Sequence, residues 1–180
     1  MIHARIQRDF TFQTAIHFED KFIINLYEMT AQMEVLTDDA EEQNTAIERM
    51  LYFLSSQIEN SVFVCDDEID AIEKYRNAGI QTCVIPDEPY DQIVGMILIN
   101  KCNAIMENRI VVEEIVFGSK LSNLIKFNIE ADLAAVEFAG KHWYNNSNLA
   151  TMDKSKKDKI VPLFDKGNDW AELELTWKEK

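Results

Sequence analysis

The chain has 180 residues, of which 18 are Lys or Arg and 32 are Asp or Glu, so its formal net charge is -14. This length fits one domain, and the 47% of hydrophobic residues can fill a core, which excludes a wholly disordered chain. So acidic a surface repels phosphate groups, and we expect no nucleic-acid partner. The sequence has no apolar run of ~18–20 residues and no apolar segment near its charged N-terminus, so we expect neither a membrane-spanning helix nor a signal peptide.

The cysteines indicate a reducing compartment. Cys65, Cys83 and Cys102 are odd in number and contain no Cys-x-x-Cys pair. This spacing predicts buried, reduced thiols in an intracellular protein rather than a disulfide framework or a cysteine-zinc site.

The last 30 residues differ from the rest of the chain in charge. Residues 1–150 carry 11 basic and 25 acidic side chains, a net charge of -14, whereas residues 151–180 carry 7 of each. We predict a domain over residues 1–145, followed by a flexible linker and a C-terminal arm over residues 146–180. Trp170 and Trp177 give the arm an aromatic side, which either folds back on its own domain or docks on a neighbouring subunit or another protein.

Alternating apolar and polar residues predict two long strands at the start of the chain. They cover residues 2–18 and 22–36, and the short turn between them makes the pair antiparallel. Asp39, with Glu42 three residues later, is typical of a helix start, and apolar residues at helical spacing continue to about residue 58.

The rest of the chain mixes helices with short and long strands. In chain order the pattern predicts a short β segment at 61–64, a helix at 66–79, a short β segment at 80–85, a helix from Asp87 to about residue 108, strands at 109–117 and 124–129, and a helix at 131–142. Strands grouped on either side of a helical middle favour the α+β class. The expected architecture is an antiparallel four-stranded sheet with helices packed on one face.

Three segments, in their order and spacing, resemble a known family. They are Phe12 to Phe18 (FQTAIHF), Val84 to Pro89 (VIPDEP) and Arg109 to Ile115 (RIVVEEI). Together with the order of elements, they are similar to the tunnelling fold of the 6-pyruvoyl- and 6-carboxytetrahydropterin synthases, over roughly residues 3–130. The resemblance implies homo-oligomers in which sheets join edge to edge.

The zinc and catalytic residues of this family do not carry over. The resemblance implies a zinc ligand at His17, but the second zinc segment of the family falls on residues 25–29, which contain no histidine. Such a site needs three protein ligands, so His17 alone cannot hold zinc and we expect no cofactor. The catalytic cysteine and the Asp-His pair of the family are also missing. The resemblance therefore implies the scaffold without the synthase chemistry.

Four residues are candidates for binding a small heterocycle. Glu113 or Glu114, near the end of a strand, could accept two N–H groups of a guanine-like ring. Phe12 and Tyr27 could stack on that ring. The alternative is that the aromatic residues belong to the core and that the glutamates face solvent on a half-exposed sheet.

Residues 88–95 and 103–109 resemble uncharacterised proteins of tailed bacteriophages, which implies a viral protein in the host cytoplasm or the virion. The first functional hypothesis is a non-catalytic, oligomeric accessory or structural protein, with the C-terminal arm available to a phage or host partner. The second is a protein that binds a purine, pterin or signalling nucleotide at a subunit interface. An enzyme with a rearranged metal site at His17 and a mimic of nucleic acid are the remaining alternatives.

Overall fold

The computed structural model describes residues 4–123 and 125–151, and these form an α+β domain around one sheet. The strands and helices, in chain order, are β1 (Ala4–Phe18), β2 (Lys21–Val35), α1 (Ala40–Tyr52), β3 (Val62–Cys65), α2 (Ile69–Asn77), β4 (Thr82–Ile85), α3 (Asp91–Met106), β5 (Ile110–Ser119), β6 (Lys126–Glu130) and α4 (Ala131–Glu137). A π-helical turn, Phe53–Ile58, extends α1, and a 3₁₀ turn covers Trp143–Asn145. None of the described helices combines the length and the apolar character needed to cross a membrane.

The sheet has six strands in the order β4-β3-β1-β2-β5-β6. The four expected strands are present as β1, β2, β5 and β6, and each pair of neighbours among them is antiparallel. The predicted four-stranded antiparallel sheet is nevertheless wrong, because β3 and β4 extend it in parallel with β1. Parallel pairing follows from the helical crossovers before β3 and β4, since such a connection returns the chain in the same direction.

Helices cover both faces of the sheet, so the prediction of helices on one face is also wrong. We call the face under α1, α3 and α4 the core face; it carries Phe12, Tyr27 and Phe117. On the opposite face, α2 covers only β3, β4 and the adjoining end of β1, through Ala71 and Tyr75. The rest of that face, on β1, β2, β5 and β6, is not covered by any described residue, and we call it the open face.

The ends of the helices follow local chemistry, with one correction. Asp39 is the N-cap of α1 and accepts hydrogen bonds from the backbone N–H groups of Glu41 and Glu42, at 2.8 and 3.3 Å. Gly79 follows α2 with a left-handed φ of 73°, as expected for a helix stop. The predicted helix start at Asp87 is wrong, because α3 begins at Asp91 and the Asp87 carboxylate accepts a hydrogen bond from the neighbouring Glu88 N–H.

Candidate functional site

The two aromatic candidates, Phe12 and Tyr27, lie side by side in the core. They face each other across the β1–β2 pair with ring centroids 5.7 Å apart, and Tyr27 stacks on Phe117 of β5 at 5.1 Å. Tyr27 is fully buried and Phe12 nearly so. Their side chains therefore fill the core above the centre of the sheet, and neither ring presents a face to solvent.

Three buried polar atoms on the core face of β1 and β2 have no hydrogen-bond partner among the described residues. Thr14 Oγ1, Asn25 Nδ2 and Tyr27 Oη are buried and form no hydrogen bond with the described residues. Thr14 and Asn25 are opposite each other in the β1–β2 register, and Tyr27 follows on the same face of β2. Burial is the main cause that raises the pKa of Tyr27 far above its ordinary value. Such a cluster suits an internal water or a small polar group, because each orphaned atom needs a partner.

Beside this cluster, Asp91 fastens the first turn of α3 to the loop after β5. Its two carboxylate oxygens accept hydrogen bonds from the hydroxyls of Ser119, at 2.9 Å, and Ser122, at 2.7 Å. The backbone N–H of Leu121 donates to Asn25 Oδ1, which joins the loop to β2. These bonds close the core face at this end of the sheet.

Glu113 and Glu114 lie on the opposite face from Phe12 and Tyr27. The β2–β5 pairing shifts between Gln32 and Met33, so β5 carries an extra residue there and Glu113 lies between the paired positions. Glu114 pairs with the exposed Gln32, and a Glu113 oxygen lies 3.6 Å from a guanidinium nitrogen of Arg5. The structure does not bring the four predicted ligand-binding residues into one pocket.

His17, the candidate zinc ligand, is buried near the end of β1 on the face that α2 covers. Its Nδ1 lies 2.9 Å from the Tyr75 hydroxyl, and the two rings meet edge to face with centroids 5.6 Å apart. Its Nε2 forms no hydrogen bond with the described residues. His17 is thus held in place by a hydrogen bond at one ring nitrogen, while the other lies 3.8 Å from a carboxylate oxygen of Glu68 and has no hydrogen-bond partner among the described residues.

At the outer strand β6, one edge of the sheet pairs with no other strand among the described residues. Four large apolar side chains adjoin it in the chain: Leu121 and Ile125 precede it, and Leu133 and Val136 lie in α4 directly after it. All four are exposed, Val136 at 78% and Ile125 at 59%. An edge strand flanked by exposed apolar residues is a ready surface for another strand. The sequence alone does not predict this surface, because strand order does not follow from the local pattern.

The other edge, at β4, is covered by the segment that follows α4. The indole Nε1 of Trp143 donates to the backbone carbonyl of Val84, at 2.7 Å. Thr151 is buried nearby and its Oγ1 accepts a bond from Gln81 Nε2 at 3.0 Å. Residues 142–151 therefore pack against the domain, and the rest of the predicted linker and arm, residues 152–180, lies outside the described residues.

A buried lysine that was not among the predicted site residues holds this segment in place. Lys101 is fully buried in α3, and its Nζ donates to the backbone carbonyls of Trp143 at 2.7 Å, Asn146 at 2.8 Å and Asn148. Loss of hydration lowers the pKa of Lys101 to about 8. The sequence does contain a signal for this role, because Lys101 lies among the apolar residues Ile97, Leu98, Ile99 and Cys102. A charged group buried in an apolar helix needs hydrogen-bond acceptors around it.

The three cysteines are buried and unpaired, as predicted. Burial raises the pKa of Cys83 to about 11 and that of Cys102 to about 12, so both are inert thiols at neutral pH. The other predicted partner-binding residues, Trp170 and Trp177, lie outside the described residues.

Comparison with known proteins supports the fold alone. No family model and no curated protein matches the sequence. The crystal structure of an uncharacterised protein from Wolinella succinogenes is similar, with a TM-score of 0.51 and 9% sequence identity, over 72% of this chain and 99% of that chain. The class that the structure defines is an α+β domain with a six-stranded mixed sheet. The tunnelling-fold resemblance stays a prediction from the sequence.

Proposed function

We propose that the protein is a non-catalytic accessory or structural component that acts by self-association, with the β6 edges of two copies pairing. The observation that carries this proposal is the β6 edge, which no described residue covers, with its four exposed apolar neighbours, Leu121, Ile125, Leu133 and Val136. Pairing of two β6 strands would give the outer backbone N–H and C=O groups of each strand hydrogen-bond partners. It would also bury these apolar side chains, and both effects favour association.

The sequence of β6 supports a second copy as the partner. If two β6 strands pair antiparallel about Asn128, Lys126 of one copy is opposite Glu130 of the other. Phe127 is then opposite Ile129. Opposite charges and apolar pairs across antiparallel strands are both stabilising. A two-fold axis repeats each pair, so the strand is complementary to itself.

The contrast between the two sheet edges also supports β6 as the interface. The β4 strand has only four residues, and Trp143 already donates to its outer carbonyl at Val84. Within the described ranges no residue pairs with the outer side of β6. Natural sheets block the edges that should not associate, so the unblocked edge is the one available for a partner.

We predict that Val136→Lys dissociates the oligomer. The new ammonium would have to leave water when the interface forms, so the dissociation constant should rise by about tenfold or more, as measured by light scattering of size-exclusion fractions at several concentrations. The matched control is Ile69→Lys, which changes another exposed apolar residue, 64% accessible, at the start of α2. The control should assemble like the wild type, and a monomeric wild type would contradict the proposal.

Two expectations from the sequence remain predictions. The tailed-phage setting, with its location in the host cytoplasm or virion, rests on the resemblance of sequence segments. The small-molecule alternative also stays a prediction; of its candidate residues, Phe12 and Tyr27 lie on the core face, whereas Glu113 and Glu114 lie on the open face.

A further inference from the structure

Three potential ligand atoms converge where β1 ends. His17, Asp20 and Glu68 each offer one nitrogen or oxygen, and these atoms all lie within 4.8 Å of one another. Asp20 belongs to the β1–β2 turn, where Glu19 and Asp20 have φ values of 48° and 58°. Glu68 lies just beyond β3, which runs parallel to β1, so both strands end at the same side of the sheet.

The unpartnered imidazole nitrogen distinguishes this group from an ordinary acidic surface cluster. The His17 side chain is 9% exposed, and its Nε2 has no hydrogen-bond partner among the described residues. The nearest Glu68 oxygen lies 3.8 Å from Nε2, too far for a hydrogen bond. A buried nitrogen without a partner costs free energy, so a ligand that fills this gap would be stabilised.

The spacing suits two ligands of one metal ion. Bonds of about 2.0–2.1 Å from zinc to nitrogen and oxygen, at a tetrahedral angle, put the two ligand atoms ~3.4 Å apart. The observed 3.8 Å is close to that separation, and both carboxylates are accessible enough to adjust. A small rotation of the Glu68 and Asp20 side chains would bring their carboxylate oxygens to the distances that one metal ion requires.

The surroundings of His17 also suit a metal ligand. With the proton on Nδ1, the ring donates to the Tyr75 oxygen at 2.9 Å and presents the Nε2 lone pair to the carboxylates. A hydrogen bond of this kind from the second ring nitrogen is usual for metal-bound histidine. Phe22 is opposite His17 in the β1–β2 register, and its ring also contacts Tyr75. These rings keep water from one side of the imidazole.

We propose that His17, Asp20 and Glu68 form a site for a divalent transition-metal ion, with zinc as the ion best matched to one imidazole and two carboxylates. The ion would join the β1–β2 turn to the segment that leads into α2. Because a metal that binds only the folded protein stabilises it, the site would act as a structural clamp.

Calorimetric titration of the chelator-treated full chain with Zn²⁺ tests the site. We expect one ion per chain and a rise in melting temperature of roughly 5 °C at saturating zinc. His17→Gln should weaken binding by about 100-fold, because it replaces the imidazole ligand. Glu68→Gln should also weaken binding, yet it keeps the His17–Tyr75 bond, so the melting temperature of its metal-free form should not change.

Matched variants separate this site from other zinc-binding groups. His3→Gln and His142→Gln change the remaining two histidines, and Glu73→Gln changes an exposed carboxylate in α2; all three should bind like the wild type. Cobalt in place of zinc should give a visible spectrum without the thiolate charge-transfer band that a cysteine ligand would cause. The proposal is overturned if zinc does not bind stoichiometrically, or if His17→Gln keeps the wild-type affinity.

Discussion

At the scale of single residues, Lys101 is a charge that the fold buries without a carboxylate partner among the described residues. Its ammonium group instead donates to backbone carbonyls of residues 143–148 and lies 5.9 Å from the centre of the Trp143 ring. The lysine therefore replaces lost hydration with a cage of oxygen atoms. This arrangement ties the end of the described chain to the centre of α3.

We predict that Lys101 makes stability rise with pH between about 8 and 10.5. In this window the folded protein, with its lowered pKa, has released the proton that the unfolded chain still holds, so a rise in pH favours folding. Cys83 and Cys102 act in the opposite direction, because their raised pKa values let the unfolded chain ionise first. Urea unfolding of the wild type and of Lys101→Met at pH 7.5 and 9.5 measures this effect. The change in the free energy of unfolding between the two pH values should be more positive in the wild type than in the variant, and that difference is the contribution of the lysine.

The same variant tests the oxygen cage. Lys101→Met leaves the carbonyls of Trp143, Asn146 and Asn148 without their donor, which should lower the free energy of unfolding at pH 7.5 by about 3 kcal/mol. A loss well below 1 kcal/mol, or the same pH dependence in both proteins, would show that the lysine does not hold this segment.

Burial of single residues could be predicted well from the sequence, whereas their partners could not. Apolar spacing of two along β1 and β2 places Phe12 and Tyr27 in the core, because alternate side chains of a strand share a face. His17 meets Tyr75, 58 positions later, and Lys101 meets carbonyls over 40 positions away. Nothing in the local pattern encodes such pairs, since they arise only when the strand order is set.

At the scale of elements, the close approach of α3 to the sheet depends on Gly95. A Cβ at this position would lie 2.4 Å from Cδ1 of Ile129 and 3.1 Å from the Phe117 ring. The absence of a side chain thus lets the helix approach β5 and β6, although glycine lowers helix propensity.

We predict that Gly95→Ala destabilises the protein by about 1 kcal/mol, because crowding outweighs the gain in helix propensity. In an Ile129→Val background the crowding methyl is absent, so the same alanine should become neutral or stabilising. Chemical denaturation of the wild type, the two single variants and the double variant measures the free energy of unfolding of each, and from these values the coupling energy between the two positions. Additive effects of the two substitutions would contradict the packing described for α3.

The longer elements could be predicted from the sequence, and the shortest ones were misjudged. β1, β2, α1 and α3 have enough residues to show a period, and Asp39 caps α1 as expected. The strands β3 and β4 have four residues each, which is too few to show a period, so their sequences resembled short insertions between helices. Their pairing in parallel with β1 changed the sheet from four strands to six and placed α2 on the opposite face.

At the scale of the whole molecule, the two edges of the sheet differ in protection. The β4 edge is short and covered by the Trp143 segment, whereas no described residue covers the β6 edge, which has exposed apolar neighbours. The two sites proposed above lie in different parts of the fold: the His17 group is where β1 ends, and the β6 edge is three strands away in the sheet order. Their tests are therefore independent.

The most direct test of self-association exchanges the charges of β6 and measures the oligomer mass by light scattering at several concentrations. Lys126→Glu or Glu130→Lys alone places like charges opposite each other twice across the two-fold axis, which should weaken association by about tenfold. The double variant restores opposite charges, so its dissociation constant should return to within about threefold of the wild type. A wild type that stays monomeric at all concentrations, or a double variant no better than the single ones, would contradict pairing through β6.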